Sequence, residues 1–525
     1  MCSQMRLGPA QTFHSMKMDL SWLPGRAESL NSGHAISLLA GVIIVWYVTS
    51  AIYVWYPLRH IPGPFLASFS HLWLATQHFR GEAYPALRGL AKYGSVVRIG
   101  PNRVLTDDPD ALRRIAGLNS GYTRHRSYKD GTRFHREVDS MLGLLDEKAH
   151  SRIKAKTAAG YSGRDNPEFE KTVDREVERL LLLIRHKMLS TEQETRPVDF
   201  QALARFFALD ALSSLAFGRP FGHLDNGEDL YGYVGAVARA LRVLWLIRSL
   251  PVLRAMTFSD ITFQYFGPKP TDKSGPGRLM GVNHDIIEAR WNEPDAKGRN
   301  DMLGLFMRNG LSKEECEAET MTHIVAGSDT TAMYGVMLYI VSSPPVYRRL
   351  KGEIQKAIND GAVSQPITLQ EAKQLPYLQA VVLEGFRMKN QQTYGHFKTA
   401  PASGDKLNGV FIPPGTPIGH NSVALARKAA IFGSDPDTFR PERFLDIPEE
   451  KGAEMNRALS ILFGGGRWQC AGKPLAFLMI NKVVFELMRN FDFQFVHPEK
   501  TWGQKSNMAH LGDNGSFRVT EAPDI

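Results

Sequence analysis

The sequence predicts a mainly α-helical domain with a small β part, an α+β arrangement, preceded by one transmembrane helix. Three observations lead there. Residues 35–56 form an uncharged, apolar run of 22 residues. Beyond it, apolar residues recur three and four positions apart through many long segments. Strand-like alternation is confined to short stretches towards the two ends of the remaining chain. With 525 residues, 43% of them hydrophobic, the chain can bury a large core. No Ser/Gly-rich or Pro-rich linker follows the first 65 or so residues, so one large domain is expected.

As a helix the apolar run would extend roughly 33 Å, enough to cross a bilayer. Trp46, Tyr47, Tyr53, Trp55 and Tyr56 place amphipathic rings in or near one half of it. A cleaved signal peptide would be shorter and would end in small residues instead. Arg59 and His60 follow, and Ile61-Pro62-Gly63-Pro64 makes a stiff, non-helical exit. Arg6, Lys17 and Arg26 lie on the other side, so the charge bias is weak, and it places the main domain in the cytosol. The expected organisation is a luminal segment 1–34, an anchor 35–56, a Pro/Gly hinge 57–65 and a main domain 66–525.

Residues 93–106 alternate around a Gly-Pro-Asn turn and read as a hairpin. Helical periodicity then runs through 166–191, 200–217, 228–250, 277–292, 314–342, 346–358, 368–389 and 474–490, with extended pieces near 396–418 and 491–497. The formal charge of +9 suits an anionic membrane surface or an acidic protein partner, and no basic cluster is interleaved with aromatics as nucleic acid would require. Cys2, Cys316 and Cys470 are too few and too far apart for a disulfide framework, which fits a reducing compartment and leaves a thiol free for chemistry.

Four segments carry that chemistry. Phe463-Gly464-Gly465-Gly466-Arg467-Trp468-Gln469-Cys470-Ala471-Gly472 precedes Pro474 and an apolar helix. A thiol at a helix entrance meets unpaired N–H groups and the positive end of the dipole, both of which favour thiolate. The glycines let backbone approach a flat ligand, as a haem-iron thiolate site needs. Neither the dinucleotide-binding spacing nor the P-loop ending is present; an ordinary buried thiol is the remaining alternative. Ala326-Gly327-Ser328-Asp329-Thr330-Thr331 interrupts the pattern 314–342, where a Thr hydroxyl competing for the carbonyl four residues back and Gly327 together open a local groove. Such a groove can hold dioxygen, with Thr330 donating a hydrogen bond and Asp329 passing protons from solvent. A second membrane span at 321–342 is disfavoured by Asp329 and His323, because an Asp at a span centre costs roughly 2.5–3.5 kcal/mol. Glu384-Gly385-Phe386-Arg387 puts a carboxylate and a guanidinium on one helix face. Phe439-Arg440-Pro441-Glu442-Arg443-Phe444 offers a second Arg to complete a charged triad of Glu384, Arg387 and Arg443, structural in role.

In this order and spacing the four segments resemble those of the cytochrome P-450 superfamily, over about residues 60–515. Tyr377-Leu378-Gln379-Ala380 and Gly218-Arg219-Pro220-Phe221-Gly222 resemble the filamentous-fungal microsomal branch that includes pisatin demethylase. The resemblance implies a triangular helical prism and a haem-thiolate monooxygenase with heme b (iron protoporphyrin IX), Cys470 as axial iron ligand and Thr330 and Asp329 as oxygen and proton residues. It also implies electrons from NADPH through NADPH-cytochrome P-450 reductase, cytochrome b5 as an optional second donor, and a lipophilic substrate. The matching location is the endoplasmic reticulum membrane, single-pass, with the domain facing the cytosol, and the matching role is secondary-metabolite biosynthesis. Phe463, Gly466 and Trp468 would bind the cofactor, as would His150, Lys154 and Lys398, which stand where Trp and two Arg residues are usual. Trp468 itself replaces a common Arg and offers one N–H without charge. Lys389-Asn390 replaces the usual His-Pro. Two alternatives stay open: a haem-thiolate isomerase or dehydratase needing no reductase, whose relatives usually lose the Thr, and a non-catalytic membrane haem-binding protein.

Overall fold

The computed structural model describes residues 32–523 apart from 131, 331–332, 390–391 and 501–515. It divides into two compact units, Met1–Tyr53 and Val54–Ile525. Helix α1 (Ser32–Trp55) supplies the described part of the first unit. The stretch Ile36–Leu58 has a mean hydropathy of 2.0 and none of its most apolar window is buried by protein. So much apolar surface is costly in water and costs nothing in a bilayer, whose hydrocarbon core is about 30 Å thick. Residues 1–31 of the expected luminal segment lie outside the described residues.

Two other stretches are apolar enough to span a membrane, yet they are core: the most apolar window of Phe200–Phe217 is 83% buried and that of Lys313–Val341 is 71% buried. The second unit is built on helices α2 (Glu147–Ser162), α3 (Phe200–Phe217), α4 (Lys313–Thr330), α5 (Met333–Val341), α6 (Pro376–Met388), α7 (Glu449–Ile461) and α8 (Lys473–Asn490). Local chemistry sets several ends. The Asp199 carboxylate accepts the Ala202 N–H to start α3, and Gly218, at φ +75°, stops it. Asp146 and Gly163 do the same for α2. Apolar periodicity does not reveal α2, because its buried face (His150, Ile153, Thr157, Gly160, Tyr161) is partly polar. The pattern 314–342 becomes α4 and α5, flanking residues 331–332. Gly327 lets α3 approach α4 closely: a Cβ there would lie 2.7 Å from Leu212 Cδ1, so the small residue serves packing.

Among the described residues ten strands form the β part: β1 (Val96–Gly100), β2 (Arg103–Thr106), β3 (Thr123–Arg124), β4 (Val198–Asp199), β5 (Tyr394–Thr399), β6 (Asp405–Leu407), β7 (Val410–Ile412), β8 (Pro417–Asn421), β9 (Phe491–Phe495) and β10 (Ser516–Glu521). The larger sheet has the order β1-β2-β8-β5-β3, the smaller β4-β10-β9, and β6 and β7 make a ribbon. The expected hairpin is β1–β2. β2 then pairs in parallel with β8, Val104 opposite Ile418, joining parts of the chain that sequence reading leaves apart. Residues 61–64 lie along β1: the Arg98 N–H donates to Pro62 O at 2.8 Å, and a Cβ on Gly63 would sit 2.3 Å from Arg98 O. Only glycine fits there.

Candidate cofactor and active site

Cys470 closes the loop between α7 and α8. Its N–H donates to Phe463 O at 2.8 Å, which folds the loop back on itself. The residue is exposed, yet protein surrounds the sulfur closely enough that burial pushes the thiol pKa up. Against burial, the N–H groups of Gly472 and Lys473 hydrogen-bond the sulfur, and the Lys154 and Lys473 ammonium groups draw it towards thiolate. The helix entrance therefore supplies the donors its sequence promised.

The glycines of this loop also make a close contact within the protein. Gly464 and Gly466 have φ of +77° and +59°. A Cβ on Gly465 would come within 2.8 Å of the Ala116 Cβ, and one on Gly466 within 2.1 Å of Ala116 O. Their smallness lets the loop press on the segment around Ala116, and the same glycines line the cavity beside it.

Lys154, on α2, donates to Arg467 O at 2.6 Å and Gln469 O at 3.1 Å, pinning the loop just before the cysteine. His150, one turn earlier, lays its ring 4.1 Å from that of Trp468. Burial, then the positive charges of Arg124, Lys154 and Arg467, lower its pKa to about 3, so it is a neutral imidazole at physiological pH. Lys398, on β5, lines a cavity of about 140 Å³ beside the loop, as do Gly466 and Trp468. Its ammonium reaches Ile115 O at 3.3 Å.

The structure brings Glu384, Arg387 and Arg443 together. Arg387 donates from Nε to Glu384 Oε2 at 2.6 Å and from Nη2 to Oε1 at 2.7 Å. Arg443 Nε donates to Oε1 at 2.9 Å, and the Arg440 backbone N–H to the same oxygen at 2.8 Å. The remaining guanidinium N–H groups hold Ala426 O, Thr438 O and Asp435 O. All three side chains are buried, at 4% exposure or less. Hydrogen bonds that satisfy both charges in this way make a buried ion network tolerable. Between Glu384 and Arg387 stands Phe386, whose ring packs on Phe463 at 5.4 Å and Phe477 at 4.8 Å, tying α6 to the cysteine loop and to α8. This aromatic link could have been suspected from the three phenylalanines in otherwise functional segments.

Asp329 and Thr330 end α4, and their side chains lie outside the described residues. Further up α4, the sequence reading missed Glu319. It is 1% exposed, accepts the Met141 N–H at 2.5 Å, and burial pushes its pKa up to about 7. Also missed was Arg124 on β3. Its guanidinium carbon lies 4.4 Å from the Trp468 ring and 3.9 Å from that of Tyr128, and its Nη1 donates to Met141 O and Leu144 O. The Met141 peptide is thus held on both sides, by α4 and by β3. A basic residue beside a hydroxyaromatic stretch is too common in sequence to flag Arg124.

An exposed thiol hydrogen-bonded by backbone N–H groups and flanked by two ammonium groups, and a neighbouring cavity framed by basic and indole side chains, suit a metal macrocycle bearing acid groups. A family model described as cytochrome P-450 matches residues 61–514. The chain is 41% identical over 472 residues to the cytochrome P-450 monooxygenase aba1 of Botryotinia fuckeliana, spanning 89% of this chain and 92% of that protein. It is 40% identical over 499 residues to the cytochrome P-450 monooxygenase ABA1 of Pyricularia oryzae, spanning 93% and 97%. Pisatin demethylase of Fusarium vanettenii is 27% identical over 477 residues, spanning 87% and 88%.

Proposed function

This chain belongs to the cytochrome P-450 family, and from that premise we propose that it takes electrons from NADPH through a separate membrane reductase and inserts one atom of dioxygen into a lipophilic product of fungal secondary metabolism. It is a monooxygenase whose cofactor is haem. An apolar helix for membrane anchoring, a redox partner and a lipophilic class of substrate go with that membership. The reductase itself, cytochrome b5 as a second donor, the endoplasmic reticulum as location and the cytosolic placement of the domain are parts of the proposal. So is the reaction, a hydroxylation, an epoxidation or a further oxidation.

The observation that carries the reading is Cys470, exposed and with its sulfur hydrogen-bonded by the N–H groups of Gly472 and Lys473 at the start of α8. The haem, when bound there, supplies the iron at which dioxygen is reduced. Cys470 would hold its iron, Lys154 would hold the ligand loop, and Phe463, Gly466, Trp468, His150 and Lys398 would form the walls around it. Asp329 and Thr330 are assigned proton delivery, and Glu384, Arg387 and Arg443 the support of the loop from behind.

The test is a carbon-monoxide difference spectrum of the reduced full chain, with oxygen uptake measured beside it. The expected result is a strongly red-shifted Soret band and uptake that needs NADPH and reductase together. A thiolate-type band in a protein that turns over without reductase would replace this reading with the isomerase one. No haem band would overturn both. Thr330→Ala is expected to keep the band and the NADPH consumption while product formation falls on the order of 10²-fold and hydrogen peroxide takes up the difference. Product yield per NADPH equal to that of the unsubstituted protein would remove Thr330 from proton delivery.

A further inference from the structure

Three guanidinium groups outside the residues assigned above come together from separate parts of the chain. Arg103, on β2, is 6% exposed. Its guanidinium stands 5.7 Å from the Phe397 ring and has no hydrogen bond or ion pair among the described residues. Arg248, in the helix Tyr233–Ser249, lies against the Trp245 ring at 4.7 Å and reaches Ser127 O only at 3.4 Å. Arg254, in the short helix Pro251–Thr257, pairs with Asp130 at 3.0 Å, both side chains being largely buried. Burial, then the charges of Arg254 and Arg248, lower the Arg103 pKa to about 10, and burial lowers those of Arg248 and Arg254. The carboxylate that acts on all three is Asp130, so three positive charges meet one negative. His71 and His125, held down to about 3 and about 4 by burial and then by Arg103 and Arg254, are neutral and leave that imbalance as it is.

Donors without partners collect in the same place. Arg254 Nη1, Trp245 Nε1 and His78 Nδ1 are buried and unpaired. His78 is fully buried, its Nε2 lies 2.9 Å from the Tyr394 hydroxyl, and its ring is 6.1 Å from that of Trp245. With the hydroxyl donating to Nε2, the idle Nδ1 carries the proton. Charged side chains are rarely buried without partners, and an unpaired donor in the interior costs free energy. Excess positive charge beside idle N–H groups therefore marks a place for an anion. The surroundings are aromatic, and Phe397, which Arg103 faces, also lines the cavity beside the cysteine loop.

We propose that this cluster receives a carboxylate of the substrate: the lipophilic molecule that the protein oxidises is an acid, held by Arg103, Arg248 and Arg254 with its apolar body along Phe397. The inference rests on the proposed function above and deepens it by naming the substrate class. A guanidinium fork meets a carboxylate through two parallel hydrogen bonds. An inorganic anion gains nothing from the rings around the site. A lipid headgroup stays at the surface, whereas Arg103 and His78 are withdrawn from it.

The test is equilibrium dialysis of the haem-loaded full chain against dodecanoic, cyclohexylbutanoic and abietic acids, each beside its methyl ester, which keeps the apolar body and loses the charge. At least one acid is expected to bind about tenfold or more tighter than its ester. Arg103→Gln is expected to bring that ratio to within about twofold of unity, while Arg103→Lys, which keeps the charge, retains most of it. Arg113→Ala, at an exposed site, leaves the ratio unchanged. Because Arg103 pairs with no protein group, its loss leaves nothing stranded; should Arg103→Gln fail to fold, Arg248→Gln takes its place with the same expectation. No acid binding tighter than its ester, or a preference that survives Arg103→Gln, overturns the proposal. So does inorganic phosphate that displaces the acid at equal concentration, which would make this a site for free anions. Binding to anionic vesicles that falls in Arg103→Gln while the acid-to-ester ratio stays unchanged would give the cluster to a headgroup and overturn it too. Failure of the haem reading shows separately, as an unsubstituted protein with no thiolate-type Soret band.

Discussion

Cys470→Ala is expected to abolish the red-shifted carbon-monoxide band and to lower product formation to the rate of a protein-free control. The reason is local. Among the described residues Cys470 carries the exposed thiol, since Cys316 is fully buried in the core and its pKa is pushed up to about 12 by burial first and then by the surrounding carboxylates. No second thiolate is available among the described residues. The fold is expected to survive, because Cys470 is exposed and alanine leaves no hole in the core; the N–H groups of Gly472 and Lys473 can turn to water. Stability of the two apo proteins in urea should therefore agree within about 1 kcal/mol. A variant that keeps the band would mean that another atom ligates the iron, and the assignment of Cys470 would fall.

Glu384→Ala is expected to have the largest effect on folding. It leaves the guanidinium groups of Arg387 and Arg443 facing each other across a buried space, both at 4% exposure or less, with only neutral oxygens for company apart from Asp435 beside Arg443. Stranding one member of a buried ion network typically costs about 3–5 kcal/mol, a large share of the roughly 5–15 kcal/mol that separates folded from unfolded domains. The full chain should accumulate poorly, carry little haem and unfold at a clearly lower urea concentration. Arg113→Ala is the matched control: Arg113 pairs with Asp110, but both side chains are exposed, and the expected loss is under about 1 kcal/mol. Glu384→Gln should fall between the two, since the amide oxygen still accepts while the charge is gone. If Glu384→Ala unfolded at the same urea concentration as the control, the triad would have no structural role.

The legible parts of this molecule are those in which neighbouring residues settle the matter. The anchor is a matter of twenty-odd consecutive apolar side chains, and α1 covers it. The ends of α3 follow from Asp199 and Gly218, and the donors on Cys470 follow from its place before α8. Glu384 and Arg387 face the same way because they are three apart on a helix. Even Arg443 could be guessed into the triad, because aromatic neighbours argued for burial of a charge that then needed a partner.

At two places the structure adds a neighbour that the local reading does not contain. Gly465 and Gly466 were read against a ligand, but the close neighbour is Ala116, some 350 residues earlier. Gly327 was read as a weak turn, but it is the groove for Leu212 of α3. In each case the sequence shows that a side chain is absent and cannot show what comes close in its place.

By itself, then, the sequence determined what depends on spacing along one segment: the membrane helix, the helix caps, the strand hairpin, the thiol at a helix entrance and the order of four motifs. Tertiary structure alone decided what depends on separate segments meeting. The parallel pairing of β2 with β8, the bulge that sets His396 against His420, the placing of Arg124 between two aromatic rings and the burial that lifts Glu319 all arise from contacts far apart in the chain. Spacing governs the first group because backbone geometry repeats every few residues. Nothing repeats across 300 residues, so the second group is set by which surfaces pack and what that packing removes from water.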